Sequence, residues 1–276
     1  MSKILCNEAL KKFCKNGFLS PVKLMEEDEA QKIHLRLKNF EMCYPELLGH
    51  LDFKANLLCD WVDAVVRKNI ILDVIEDLLG PNILNWNATF RIKENDGKSH
   101  AAWHQDSMYI KLKPNLTIVW LAVSPATIKS GCLKLIPGSH KGPLRQHIEG
   151  NDKNSILSRS QRIIEKIDTS KEFAAELKPG EACIFDHRII HSSAPNTENY
   201  RRIGLLLDYL PTNAVKQGPR DSAMLVRGHD YFKHFFLESQ PIGEATKENL
   251  EKQRHALKLI TKTMYDGSSF MPQGLK

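Results

Sequence analysis

The sequence predicts a mainly β fold, a sandwich or barrel with helices packed outside it, and three observations carry that prediction. Between 83 and 210 the chain breaks into short apolar or alternating runs: "NWNATFRIK", "HAAWHQDSMYIKL", "LTIVWLAVS", "GCLKLIPGS", "ACIFDH" and "RIGLLLDYLP". Turn residues bound each run, and no helix follows each in the way a doubly wound parallel sheet requires. Residues 1–80 instead carry apolar side chains at helical spacing, and a second helical pattern closes the chain at 244–267.

Along the chain, "SPVKLMEEDEAQKIHLRLKNF" opens on Ser20 and Pro21 as a helix start and sets Leu24, Ile33, Leu35 and Leu37 among charges. "ANLLCDWVDAVVRKNIILDVIEDLLG" continues the pattern and stops at Gly80. These helices form a cover over the β core. A long polar stretch, 151–177, interrupts the strands and reads as an insertion or lid with its own helical turn. The tail helix presents Leu250, Leu257, Ile260 and Met264 on one side and ends at Gly267. No repeat, low-complexity tract or linker divides the chain, so the expectation is one domain over 1–276: helical cover 1–80, β core 83–210, closing helix 244–267.

Composition narrows the function classes. With 276 residues and 42% hydrophobic content, a sizeable core is available. The longest apolar run, 116–123, is far short of the ~20 residues that cross a bilayer. The opening "MSKILCNEALKKFCKNG" is too charged for a secretory signal, and "MPQGLK" carries no peroxisomal address, so a cytoplasmic protein without a membrane partner is expected. The six cysteines lack pairing or metal-ligand spacing and read as reduced thiols. A net charge of +6 spread along the chain suits an anionic small molecule rather than nucleic acid. A monomer or homodimer is expected.

The chemistry begins at "AAWHQDSMYI", 101–110, where a strand that wants apolar side chains carries His104 and Asp106. His-x-acid alone is no signal: it recurs at His50-x-Asp52 and His147-x-Glu149. Only the middle triplet lies in a β segment, where residues i and i+2 share a face. A buried hydrogen-bonded pair would account for that much. A metal site for oxygen chemistry needs a second imidazole beside the first and the carboxylate, with the remaining positions open. "EACIFDHRIIHSSAPN" offers His187 and His191. Arg202 heads the strand "RIGLLLDY" and can grip a carboxylate through paired hydrogen bonds; Ser193 shares a face with His191. Arg201 is the alternative if the register slips by one.

These stretches resemble the phytanoyl-CoA dioxygenase family of Fe(II)- and 2-oxoglutarate-dependent oxygenases. The likeness rests on "NGF" at 16–18, "WHQD" followed by Tyr109, "LTIVWLAVSPATIKSGCLKLIPGSHKGPL" at 116–144, "PGEACIFDHRIIHSSAPNTENYRRIGLLLDYLP" at 179–211 and "LVRGHDYFKHFFLE" at 225–238. The resemblance implies a double-stranded β-helix, a cupin-like jelly roll. It implies iron ligands at His104, Asp106 and His191, and a 2-oxoglutarate site using Arg202, Ser193, Trp120 and Lys93, with His187 a neighbour of the metal. Met108, Tyr109, Arg227 and His229 are candidates for the substrate pocket, with Arg145 and Arg220 beside them. Gln105, between two ligands, is expected to face away and bond to backbone. Because the family's halogenases lack the acid, retention of Asp106 points to oxygenation.

The implied activity is hydroxylation of an unactivated C–H bond in a small metabolite, anionic or zwitterionic, using Fe(II), 2-oxoglutarate and O2 and releasing succinate and CO2. Desaturation, epimerisation or cyclisation by the same cofactors stays open. So do a zinc hydrolase on the same ligands and a non-catalytic jelly-roll binding protein.

Overall fold

A computed structural model describes residues 3–264 of the chain. Its first part is helical with one strand: α1 Asn7–Asn16, β1 Phe18–Lys23, α2 Glu27–Cys43, α3 Ala55–Leu58, α4 Asp60–Val66 and α5 Asn69–Leu79. The strands of the core follow: β2 Ile83–Lys93, β3 Ala101–His104, β4 Leu112–Lys113, β5 Thr117–Ala122, β6 Leu133–Leu135, β7 His147–Ile148, β8 Arg162–Ile163, β9 Phe173–Ala175, β10 Glu181–Asp186, β11 His191–Ser193 and β12 Arg202–Pro211. Beyond them lie β13 Val215–Lys216, β14 Ser222–Arg227, β15 Phe236–Leu237 and helix α6 Lys247–Met264.

The strands form a double-stranded β-helix. A seven-stranded sheet runs β1-β10-β5-β12-β2-β14-β15, and a four-stranded sheet runs β3-β11-β6-β9 opposite it. Alternation along the strands decides what each face meets. On β12, Ile203, Leu205, Leu207 and Tyr209 point outward into one apolar cluster with Leu37 and Phe40 of α2 and Ile71, Val74 and Ile75 of α5. On β5, Ile118, Trp120 and Ala122 point inward, where they meet Leu133, Leu135 and Ala175 of the smaller sheet. Both faces of β5 and β12 are thus buried, which is why their sequences read as near-continuous apolar runs.

Three expectations need correcting. Ser20 and Pro21 do not start a helix; they lie inside β1, which pairs only with β10 at the sheet edge. An edge strand tolerates proline because one row of its amides needs no ladder partner. The helix begins at Glu27 behind a capping box formed by Glu26 and Glu29. Second, the 151–177 stretch holds no helix: side chains such as Asp152 and Asp168 bind nearby backbone amides instead, and the segment supplies β8, paired with β7, and β9, paired with β6. Third, the closing helix starts at Lys247; Leu257 and Ile260 are buried as expected, while Gly267 and the Met264 side chain lie outside the described residues. Gly80 does terminate α5, with φ +88°. Among the described residues no helix is long and apolar enough to cross a membrane.

Candidate metal centre

The pairing of β3 with β11 sets His191 directly opposite His104, with ring centroids 4.1 Å apart. Asp106 begins a short 3-10 turn immediately after β3, two residues from His104, so its carboxylate returns to the same face. Its Oδ1 lies 3.4 Å from His104 Nε2 and its Oδ2 3.6 Å from His191 Nε2. Each imidazole donates Nδ1–H to the carbonyl two residues earlier, His104 to Ala102 at 2.7 Å and His191 to Ile189 at 3.1 Å. That fixes both rings with Nε2 free to ligate. The donor atoms of the three side chains all fall within 4.8 Å of one another, close enough to converge on one ion with bonds of about 2.0–2.2 Å. Burial and the neighbouring His104 push His191 down to about 4, keeping it neutral as a ligand must be. Burial works against ionisation of Asp106, but His191 and His104 outweigh it and hold the carboxyl well below the usual range.

Behind the triad lies a small cavity lined by Trp120, Phe185, Ser193 and Arg202. Arg202 is 1% exposed; its Nη1 donates to the Gly131 carbonyl at 3.1 Å, and its Nε and Nη2 find no hydrogen-bond acceptor. Two orphaned donors on a buried guanidinium are costly unless a ligand accepts from them, and they match a carboxylate's two oxygens. The Trp120 ring lies under the guanidinium, 5.0 Å from centroid to Cζ. Gly204 makes room for that ring, because a Cβ there would overlap it. Arg201 points elsewhere: it pairs with Glu41 and Glu94.

Lys93 is fully buried but does not line this cavity. Its ammonium bonds to Ser193 Oγ at 2.7 Å and to the carbonyls of Ser193 and Ala194, so it holds Ser193 rather than reaching a ligand. Burial, then the charge of Arg202, pushes Lys93 down to about 6.

An outer cleft opens on the other side of Asp106. Of the residues expected there, Tyr109 lines it, with the Arg159 guanidinium stacked 4.3 Å from its ring. Met108 is half-buried and does not line it. Arg227 and His229 are not brought to the site. Arg227 pairs with Asp73 and Glu76 of α5, and His229 sits in the exposed loop beyond it. The reason is register: Arg227 stands opposite Ile83, at the end of β2 away from Arg91 and Lys93 and beyond a register shift after Leu225. Arg220 is likewise spent, on the carbonyls of Lys233 and Phe235, and Arg145 pairs with Glu165. Gln105 faces away from the triad, bonding to the Arg188 carbonyl and the Arg145 amide.

The cleft also exposes residues that the sequence reading passed over: Asn87 and Arg91 of β2, Asp208 of β12, and Leu157 and Gln161 of the polar stretch. The signal existed. Asn87 and Arg91 alternate with outward Ala88 and Phe90, and Asp208 shares the inward face of Arg202. Burial, with Asp106 adding a like charge, pushes Asp208 up to about 7 despite Asn87, Arg91 and Lys54.

The family model for phytanoyl-CoA dioxygenase (PhyH) matches residues 13–204. A probable alpha-ketoglutarate-dependent hypophosphite dioxygenase of Stutzerimonas stutzeri is 28% identical over 162 residues, 58% of this chain and 56% of its own. A probable phytanoyl-CoA dioxygenase of Caenorhabditis elegans is 32% identical over 142 residues, 48% of this chain and 45% of its own. The chain thus spans about half the length of the curated relatives it matches. The apo structure of the non-heme monooxygenase ThoJ superposes with a TM-score of 0.84 at 25% identity, covering 93% of this chain and 97% of that one. With the strands, the triad and the sequence match running together through residues 13–204, the chain belongs to the phytanoyl-CoA dioxygenase family.

Proposed function

We propose that the protein is an Fe(II)- and 2-oxoglutarate-dependent dioxygenase that hydroxylates an unactivated C–H bond of a small anionic or zwitterionic metabolite. The observation that carries this reading is the orphaned pair of donors on buried Arg202, in the cavity that also holds the triad. A metal-dependent hydrolase would need the three ligands but has no use for a buried, half-satisfied guanidinium behind them. A dicarboxylate cosubstrate gives it a purpose.

His104, Asp106 and His191 would hold the metal, and Arg202, Ser193 and Trp120 the 2-oxoglutarate. Iron and 2-oxoglutarate, when bound, supply the oxidation: O2 and 2-oxoglutarate become succinate and CO2, and one oxygen atom enters the substrate as hydroxyl. The chain's own residues orient and exclude water. The Ala102 and Ile189 carbonyls aim the imidazoles. Lys93 fixes the Ser193 hydroxyl beside the cavity. Trp120 and Phe185 wall the cavity with apolar surface, which strengthens the grip of Arg202 on a carboxylate. Leu157, Ser158 and Arg159 line the outer cleft together with Asp106.

The test is succinate release from 2-oxoglutarate with ferrous iron and O2, across a panel of small acids, amines and phosphonates, comparing the native protein with Asp106→Ala. The reading predicts release that depends on one panel member and is lost in the variant. Turnover that persists anaerobically with zinc supports the hydrolase instead.

A further inference from the structure

The outer cleft carries two opposite charges that do not use each other. Arg91 and Asp208 both line it, yet they form no ion pair, and the Arg91 guanidinium makes no hydrogen bond among the described residues. Asp208 is 5% exposed, and its Oδ1 is buried with no hydrogen-bond donor. The ladder explains the separation. Asp208 stands opposite Asn87 while Arg91 stands opposite Gly204, four residues along, or about 13 Å of strand. Asn87, across the ladder, donates from Nδ2 to Thr89 Oγ1 at 2.7 Å and accepts the Lys54 amide at Oδ1, and Asp208 Oδ1 still has no donor. Lys54 is committed to Glu238 at 2.7 Å. Leu206 stands between the two levels of the ladder, and Ile118 and Trp86 add apolar wall to the cleft.

A buried carboxylate oxygen without a donor is costly, and the half-buried Arg91 guanidinium lines the same cleft without an acidic partner. One ligand with both charges resolves both costs. We propose that the cleft takes a small zwitterion, its ammonium group on Asp208 and its oxyanion on Arg91, so that its aliphatic middle lies along Leu206 beside the metal triad. Asp208 is then a specificity-determining residue: it rejects plain anions by charge and leaves neutral isosteres with an unfilled acceptor. This deepens the proposed function and rests on its reading of the outer cleft as the substrate site.

The test uses matched probes: ω-amino acids from 3-aminopropanoate to 6-aminohexanoate, each paired with the straight-chain carboxylate lacking the amine. Binding at pH 8 is followed by calorimetry on the full chain, alone and loaded with Ni(II) and 2-oxoglutarate. At least one amino acid should bind roughly ten-fold or more tightly than its partner, as a charge-assisted hydrogen bond implies. Asp208→Asn should erase that preference and Arg91→Gln should weaken both members of the pair, while 2-oxoglutarate binding to Asp208→Asn stays native. Equal binding within every pair, absence of binding by every probe, or a preference that survives Asp208→Asn overturns the proposal. Failure of Ni(II) and 2-oxoglutarate to bind counts against the dioxygenase reading instead, and the comparison on the unloaded chain still decides this one.

Discussion

Lys93 and Arg202 stand directly opposite each other across the β2–β12 ladder, two buried basic side chains with no acidic partner among the described residues. Like charges at facing positions destabilise a sheet. Here burial, then Arg202, lowers Lys93 to about 6, so the positive charge behind the three potential metal ligands is that of Arg202.

Replacing Arg202 tests the anion site. Loss of two charge-assisted hydrogen bonds, each worth ~1.5–3 kcal/mol, should weaken 2-oxoglutarate binding by roughly 10²- to 10⁴-fold in Arg202→Leu, read by calorimetry on the Ni(II)-loaded protein. Arg201→Ala should leave that affinity unchanged, because Arg201 spends its charge on Glu41 and Glu94. Equal effects from the two variants would mean that the register has been misread.

Lys93 should give the ligand-free protein a pH dependence. Burial first, then Arg202, brings its folded pKa to about 6, against ~10.4 in the unfolded chain. Between these values the unfolded state binds more protons, so this group makes stability rise as pH rises above about 6. Thermal unfolding should show Tm increasing from pH 7 to 8.5, with a flatter profile in Lys93→Met. An identical slope in both proteins would show that Lys93 is not the source.

Gly204 is required by Trp120 rather than by its own backbone. Gly204→Ala drives a Cβ into the indole, which should cost ~1–3 kcal/mol through overpacking. Because the same ring backs Arg202, the KM for 2-oxoglutarate should rise as well. A variant with native Tm and native KM would refute the packing argument.

Arg227 belongs to the scaffold. Arg227→Met removes ion pairs to Asp73 and Glu76 and should cost ~1 kcal/mol of stability with turnover per folded molecule unchanged. A selective fall in turnover would return it to the substrate pocket.

The sequence disclosed most about what alternation governs. Period-two spacing in "RIGLLLDYLP" and "NWNATFRIK" identified two strands whose inward faces carry Arg202 and Lys93, and it also held Asn87, Arg91 and Asp208, which went unread because a single polar residue in an apolar run resembles an ordinary strand variation. Which of His187 and His191 meets His104 was not a local matter. It follows from the β3–β11 register, a contact between residues 87 apart in sequence. Arg227 and His229 were misplaced for the same reason: nothing in "LVRGHDYF" tells which end of β2 it will pair with. Pro21 misled because proline opens helices and also sits well in edge strands. The polar 151–177 stretch has helical composition, but its Asp and Ser side chains bind their own backbone and sheet edges claim the rest.

The most direct test of the metal centre is an anaerobic titration of the ferrous protein with 2-oxoglutarate, followed by visible absorption. Chelation of iron by a 2-oxo acid produces a metal-to-ligand charge-transfer band. The native protein should develop this band with saturable dependence on 2-oxoglutarate, and Asp106→Ala should not. A native protein that binds iron without developing the band, or a band of full intensity in Asp106→Ala, would contradict the assignment of His104, Asp106 and His191 as the iron ligands beside Arg202.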